Sequence, residues 1–157
     1  HHLLDNDPIN WIKNSKNCLL IRNPSKVISS YIKKNKLKNA SELGFKTQFK
    51  IYKYLKKNNL DIIIINADNL ANDSEKTIKI LCKKLNIKFS KKMISWAKGY
   101  RETDGIWSKI WYKKVITTNT FERENRVKKL IIPKKYSLIL DECNKIYRNL
   151  DIYSINK

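Results

Sequence analysis

The chain contains 157 residues, 41% of them hydrophobic, and its formal net charge is +20. This length and apolar content predict one domain, 1–157, with a real hydrophobic core. No stretch of about 18 apolar residues occurs, which argues against a membrane span or a signal peptide and favours a cytoplasmic protein. Cys18, Cys82 and Cys143 lie far apart in apolar patterns, so we expect buried reduced thiols and no metal site.

The predicted elements alternate between helices and short apolar strands. In chain order they are a short helix at 7–12, a strand at 18–21, helices at 25–34 and 41–57, a strand at 62–65, a helix at 73–85 capped by Asp73, a turn at 90–96 capped by Ser90, a loop at 97–108 and a terminal helix at 133–150. Both strands are continuous apolar runs, which is typical of parallel strands covered on both faces. The predicted fold class is therefore α/β, with a partial parallel sheet flanked by helices and a helix-rich C-terminal half.

The first strand is followed by residues suited to binding a phosphate group. Arg22 ends the strand, an Asn23-Pro24 turn follows, and Ser25 is a good N-cap for a helix that carries Ser30. The free N–H groups and positive end of that helix would face the point where Arg22 leaves the strand, and a guanidinium can bind phosphate oxygens bidentately. The alternative is that Arg22 pairs with a local carboxylate and Ser30 packs within the helix.

This segment resembles the 3'-phosphate-binding segment of sulfotransferases, which use 3'-phosphoadenosine 5'-phosphosulfate. Arg22, Ser30 and Tyr31 match it position by position. Residues 61–68 are similar to the next core strand of that family with its acidic turn at Asp68, 73–85 resemble the following helix, and 103–112 resemble a signature of the bacterial sulfotransferase-like subgroup. The alternative role for Asp68 is a side-chain to backbone bond that stabilises the following turn.

The resemblance implies a P-loop NTPase-like sulfotransferase fold and transfer of a sulfuryl group to a hydroxyl or amine of a small-molecule acceptor. With only Gly44, Gly99 and Gly105, the chain has no glycine-rich phosphate loop with its lysine. In the family this loop lies near the N-terminus and holds the 5'-phosphosulfate. We therefore expect this chain to be the C-terminal part of a longer sulfotransferase-like domain and to be inactive in isolation.

A histidine serves as general base in the family, about twenty residues before the phosphate-binding arginine. His2, followed by Leu3 and twenty residues before Arg22, is the better match of the two N-terminal histidines. Imidazole suits this proton transfer near neutral pH. The alternative is that His1 and His2 are a purification-tag remnant or an ordinary polar end.

The 97–112 segment is similar to the Lys-Gly and Gly-Asp-Trp elements that close over the nucleotide in the family. Here the order is Asp104-Gly105, and Ala97 replaces the expected arginine. The resemblance implies Lys98 or Arg101 as a contact of the 3'-phosphate, and Trp107, Trp111 or Tyr112 as a platform for the base. Alternatively, the Trp111-Tyr112 pair anchors the loop to the core.

The strong positive charge suggests a second function, a basic nucleic-acid-binding module without catalysis. Lysines and aromatic residues are interleaved at 45–57 in particular. However, Phe45, Phe49, Tyr52 and Leu55 fall on one helical face, as expected of an amphipathic core helix with a solvated back. The abundance of Ile, Asn and Lys throughout the chain also suggests a codon bias, and a concentrated basic patch with exposed aromatic residues would distinguish the two functions.

Overall fold

Two short parallel strands form the centre of the fold in the computed structural model, which describes residues 8–106, 108–122 and 130–156. Strand β1 (Asn17–Ile21) pairs with β2 (Ile62–Asn66), and Ile21 lies opposite Asn66. The helices are α1 (Pro24–Tyr31), α2 (Phe45–Lys57), α3 (Ala67–Asn72), α4 (Ser74–Leu85), α5 (Ser108–Trp111) and α6 (Ser137–Asp151). The predicted parallel pair is confirmed, as is the mixed α/β class.

Short 3-10 helices connect these elements at Asn10–Asn14, Ala40–Leu43, Lys91–Met93, Val115–Thr117 and Lys134–Tyr136. The predicted caps at Asp73 and Ser90 are confirmed, since their side chains accept hydrogen bonds from the backbone N–H groups of Lys76 and Lys92. The prediction of one helix over 41–57 is wrong. Gly44 has φ 77°, a left-handed conformation that favours glycine, and it separates the 3-10 turn before it from α2.

The hydrophobic core lies between one face of the sheet and the helices α2 and α6. Ile21, Ile64 and Leu150 are buried at its centre, and half-buried side chains that include Phe49 and Ile146 pack against them. A neighbouring cluster joins Phe45 of α2 to Cys143 of α6. The apolar face of α6 packs into this core, because these clusters include Ile139, Cys143, Ile146 and Leu150.

The opposite face of β1 is open to solvent. Leu20 is 54% exposed and Cys18 is exposed, whereas Ile65 of β2 is buried. The prediction that both faces of both strands are covered is therefore wrong for β1, and so is the prediction of a buried Cys18. Apolar character alone does not fix burial, because burial also needs an element that packs over the residue. Cys82 and Cys143, which lie on helices, are buried.

The C-terminal residues extend the sheet in a way that the sequence did not predict. Ser154 forms a parallel bridge with Ile64, and the Ile155 N–H donates to the Ile64 carbonyl at 2.9 Å. The side chain of Asn156 then bonds to both the N–H and the carbonyl of Asn66. The free edge of β2 is therefore occupied by the end of the described chain.

Within the residues that the structure describes, we find no helix with the length and apolar character needed to cross a membrane.

Candidate nucleotide-phosphate site

The candidate site lies at the carboxyl end of the parallel strands. Arg22 follows the last residue of β1 directly and is exposed, and Asn66 ends β2 opposite Ile21. In open α/β sheets, ligands bind in the crevice outside the carboxyl ends of the strands. The structure thus places Arg22 at the edge where an anionic ligand is expected from general rules of α/β folds.

The N-terminus of α1 is capped by Asn23 and not by Ser25. The Asn23 side chain accepts from the Ser25 N–H at 2.9 Å, and the Asn23 carbonyl accepts from the N–H groups of Lys26 and Val27. Pro24 has no N–H to offer. The prediction of free helix amides around the anion is therefore wrong, and side chains together with the helix dipole must provide the attraction for a phosphate.

Ser30 is exposed and lies in the last turn of α1, the seventh of eight helical residues. At a rise of 1.5 Å per residue its Cα is about 9 Å along the axis from the start of the helix. The neighbouring Tyr31 hydroxyl donates to the Glu42 carboxylate at 3.0 Å. Desolvation first, and then this hydrogen bond and the charge of Glu42, raise the pKa of Tyr31, so this residue has a structural contact while Ser30 faces solvent.

An ion pair joins α1 to the residues that follow β2. The Lys26 ammonium lies 2.9 Å from the Asp68 carboxylate, and both side chains are about three-quarters buried. The side chain that bonds to the backbone of this turn is that of Asn66, whose Oδ1 accepts from the Asp68 N–H at 2.9 Å. Asp68 therefore pairs with a lysine, and the turn-stabilising role considered for it belongs to Asn66. The preference of asparagine for helix N-caps is the signal that would have identified it.

A buried polar network holds the end of β2. The Asn66 side chain donates to the Tyr147 hydroxyl and to the Asp151 carboxylate, both at 2.7 Å. Burial is the largest cause of the raised pKa of Tyr147. Because Asn66 is satisfied on every side, the strand end is fixed relative to α6, and so is the edge of the sheet that carries Arg22.

The loop that is predicted to close over the nucleotide lies within a longer looped segment, residues 95–120, which we call the excursion. An antiparallel bridge between Ser95 and Thr120 joins its two ends. The Trp96 ring packs edge-on against Phe121, with 5.4 Å between the ring centroids. Inside the excursion, the Gly99 N–H donates to the Ile116 carbonyl at 2.8 Å. The conformation of the loop is therefore stabilised by contacts within its own segment of the chain.

Within the excursion is a cleft of about 340 Å³. Arg101 and Tyr112 line it together with Trp96 and Lys92. The Asp104 carboxylate accepts from the Arg101 N–H at 3.0 Å, and the Asp104 N–H donates to the Arg101 carbonyl, which fixes this turn. The structure thus brings together a predicted phosphate contact and a predicted base platform, and it adds Trp96, which the sequence analysis did not select.

Only some of the other predicted residues of this region are among those that the structure describes. Lys98 is exposed on the same loop. Trp107 and His2 lie outside the described residues, and the side chain of Trp111 is also outside them. Tyr112 is 44% exposed, so it lines the cleft and does not anchor the loop in the core. In the described part of the chain, no three His, Cys, Asp or Glu side chains are grouped as metal ligands.

The parallel strands, the arginine after β1 and the helix that follows define an α/β protein with a candidate phosphate site. Comparison with known families gives the class: the chain belongs to the sulfotransferase family, because a family model described as "Sulfotransferase domain" matches residues 1–128.

Two curated relatives from Arabidopsis thaliana are similar to this chain. Branched-chain-amino-acid aminotransferase-like protein 1 is 31% identical over 150 residues, which cover 94% of this chain and 25% of the relative. Branched-chain-amino-acid aminotransferase-like protein 2 is 29% identical over 150 residues, covering 96% of this chain and 26% of the relative. The chain therefore spans about a quarter of the length of these relatives. A comparison with solved structures found no significant match.

Proposed function

We propose that this chain contributes to transfer of a sulfuryl group from 3'-phosphoadenosine 5'-phosphosulfate to a hydroxyl or amine of a small-molecule acceptor. One observation carries the proposal: Arg22 stands directly after β1 at the carboxyl edge of the parallel pair, inside the region that matches the sulfotransferase family. A guanidinium at this position suits recognition of a nucleotide phosphate.

The proposed contacts of the 3'-phosphate are side chains, Arg22 at this edge and Ser30 in the last turn of α1. Arg22 offers a charged fork and Ser30 a neutral hydroxyl, and both are exposed. The amides of the first turn of α1 are already bonded, so they do not complete the site. The expected affinity for the 3'-phosphate therefore depends mainly on Arg22, with a smaller part from Ser30.

The cleft of the excursion supports a second part of the proposed nucleotide site. Arg101 provides positive charge there, and Trp96 and Tyr112 provide aromatic surface for a base. Lys98 lies on the same loop, and the proposal includes it and Trp107 as further nucleotide contacts. In this arrangement the loop closes over the nucleotide while β1 and α1 hold its 3'-phosphate.

The proposed chemistry is an in-line transfer in which the acceptor oxygen or nitrogen forms a bond to sulfur as the sulfur–oxygen bond of the donor breaks. His2 is the proposed general base, which takes the proton of the acceptor during the transfer. The 3',5'-bisphosphate of adenosine leaves as the other product. The positive charges of Arg22 and Arg101 hold the nucleotide both in the donor and in the bisphosphate product.

The proposal includes a P-loop NTPase-like fold. The two-stranded parallel sheet with helices is compatible with that fold. The names of the two relatives refer to aminotransferase-like proteins, but the match covers only about a quarter of each. We therefore base the proposed activity on the family that matches residues 1–128.

A transfer assay tests this proposal. The full-length protein is incubated with donor labelled in its sulfuryl group and with a panel of hydroxyl and amine acceptors, and labelled product is separated by chromatography. We expect transfer to at least one acceptor and inhibition by adenosine 3',5'-bisphosphate. Binding of neither the donor nor the bisphosphate in calorimetry, together with no labelled product, would contradict the proposal.

A further inference from the structure

A second cleft, separate from the candidate nucleotide site, runs along α2. We call it the α2 cleft; its volume is about 500 Å³, and its lining residues are Lys46, Phe49, Lys50, Lys53, Tyr54, Lys57 and Ile146. Among the described residues, none lines both this cleft and the cleft at Arg101. The predicted core face of α2 is confirmed, since Phe45 and Leu55 are buried. The lysines are thus concentrated along the outer side of a helix whose inner side belongs to the core.

The spacing of these lysines favours a linear partner. They recur at intervals of four, three and four residues, which places them on one face of the helix. With a rise of 1.5 Å per residue, successive positions are about 4.5 to 6 Å apart and the row is about 16 Å long. A compact anion reaches one or two such charges, whereas an extended polyanion reaches them all. Lys46 forms an ion pair with Glu142, with 2.8 Å between the charged atoms. The pair is exposed and therefore weak, so a polyanion can replace Glu142 as the partner of Lys46.

The aromatic residues of the cleft distinguish among polyanions. Phe49 and Tyr54 are half-buried and line the cleft. The Lys53 ammonium lies 5.0 Å from the centroid of the Phe49 ring, and the Lys13 ammonium lies 5.6 Å from that of Tyr54. Aromatic rings beside a row of positive charges suit unstacked bases joined by phosphates, while an acidic peptide or polysaccharide offers no planar base.

We propose that the α2 cleft binds single-stranded nucleic acid. Its lysines contact backbone phosphates, and Tyr54 provides aromatic surface on which a base stacks. Lysine is a point charge without the bidentate fork of arginine, so the site recognises the backbone and not a particular sequence. Binding is therefore tolerant of sequence and strongly dependent on salt. The inference uses no residue of the proposed sulfuryl-transfer site and does not depend on it.

Fluorescence anisotropy with a labelled oligothymidylate tests the proposal. Three or four phosphate contacts predict a slope of about −2 to −3 for log K against log salt, and thus a loss of about 20- to 50-fold in affinity between 50 and 200 mM salt. The variant Lys50→Glu/Lys53→Glu/Lys57→Glu should lose most of the affinity and reduce the slope by about 2.

A matched control separates the cleft from the general charge of the chain. Lys83→Glu/Lys84→Glu/Lys88→Glu changes the net charge equally on exposed residues at and after the end of α4, and it should bind nearly as the unchanged protein does. Equal losses in both triple variants would overturn the proposal, because binding would then follow net charge alone. Circular dichroism establishes that each variant is folded.

Two further measurements test the identity of the ligand. Tyr54→Leu keeps every lysine and should weaken oligothymidylate binding by about fivefold or more if a base stacks on the ring. Unchanged affinity in this variant would contradict the stacking. A sulfated polysaccharide that binds through the α2 cleft, while oligothymidylate does not bind, would replace nucleic acid as the occupant and overturn the proposal.

Discussion

Replacing Arg22 with alanine should selectively weaken recognition of a nucleotide 3'-phosphate. A hydrogen bond to a charged group contributes about 1.5–3 kcal/mol, which corresponds to about 10- to 150-fold in Kd. Arg22 is exposed at the end of β1, so water competes for its guanidinium and a larger effect is not expected. Ser30→Ala removes a neutral donor and should cost about 1 kcal/mol, about fivefold.

Isothermal titration calorimetry of the full-length protein measures both effects. Adenosine 3',5'-bisphosphate is titrated against the unchanged protein and the two variants, and adenosine 5'-monophosphate serves as the ligand without a 3'-phosphate. Arg148→Ala is the matched control, because Arg148 is an exposed arginine on α6 and its replacement removes the same charge. The loss in Arg22→Ala should appear for the bisphosphate and be small for the monophosphate.

The pattern across ligands decides whether the reasoning holds. Equal losses for the bisphosphate and the monophosphate would show that Arg22 does not recognise the 3'-phosphate. Bisphosphate affinity that is unchanged in Arg22→Ala would refute the site at the carboxyl edge of β1 altogether and favour an ion-pair role for this residue. A similar loss in Arg148→Ala would mean that overall charge governs nucleotide binding.

Three further predictions concern stability and pH. Asn66→Ala should lower the free energy of unfolding by about 2–4 kcal/mol in urea titrations, because it leaves several buried partners unsatisfied; a loss below about 0.5 kcal/mol would contradict the network. Leu150→Ala should lower the free energy of unfolding by about 2–5 kcal/mol, because Leu150 is fully buried. Leu138→Ala, at an 81% exposed position, should change it by no more than about 0.5 kcal/mol. Burial raises the pKa of the Cys143 thiol from 9.0 to about 11. Its contribution to the free energy of unfolding is therefore present below pH 9 and is lost as the pH rises towards 11. In unfolding titrations, the stability of Cys143→Ala should therefore decline less between pH 9 and 11 than that of the unchanged protein. An identical decline in the two proteins would refute the raised pKa of Cys143.

The local elements of the fold were largely predictable because they depend on short-range chemistry. Two apolar runs of strand length, separated by helical patterns, predicted β1 and β2 and their parallel pairing, and the structure confirms both. Asp73 and Ser90 were predicted as caps and act as caps. The start of α1 was misassigned by a short distance, because Asn23 and Ser25 are both good capping residues and only the backbone conformation decides between them.

The candidate site was predictable only in part. The position of Arg22 after β1 follows from the sequence, since a residue that comes directly after a parallel strand lies at its carboxyl edge. The occupation of the Ser25 amide does not follow, because it depends on the rotation of the Asn23 side chain. The position of Trp96 beside Arg101 does not follow from the sequence either, because it depends on the bridge between Ser95 and Thr120, which joins the two ends of this loop segment.

Most helix and strand positions, the apolar helical faces and the residue that follows β1 are readable from the sequence, since each depends on neighbours within a turn or a strand. What lies over each strand and along each edge depends instead on long-range packing. Cys18 and Leu20 are as apolar as their partners in β2, yet they are exposed because burial needs a packed neighbour. Ser154 and Asn156 join β2 across some ninety residues because backbone groups at a free edge accept any segment that the fold brings beside them.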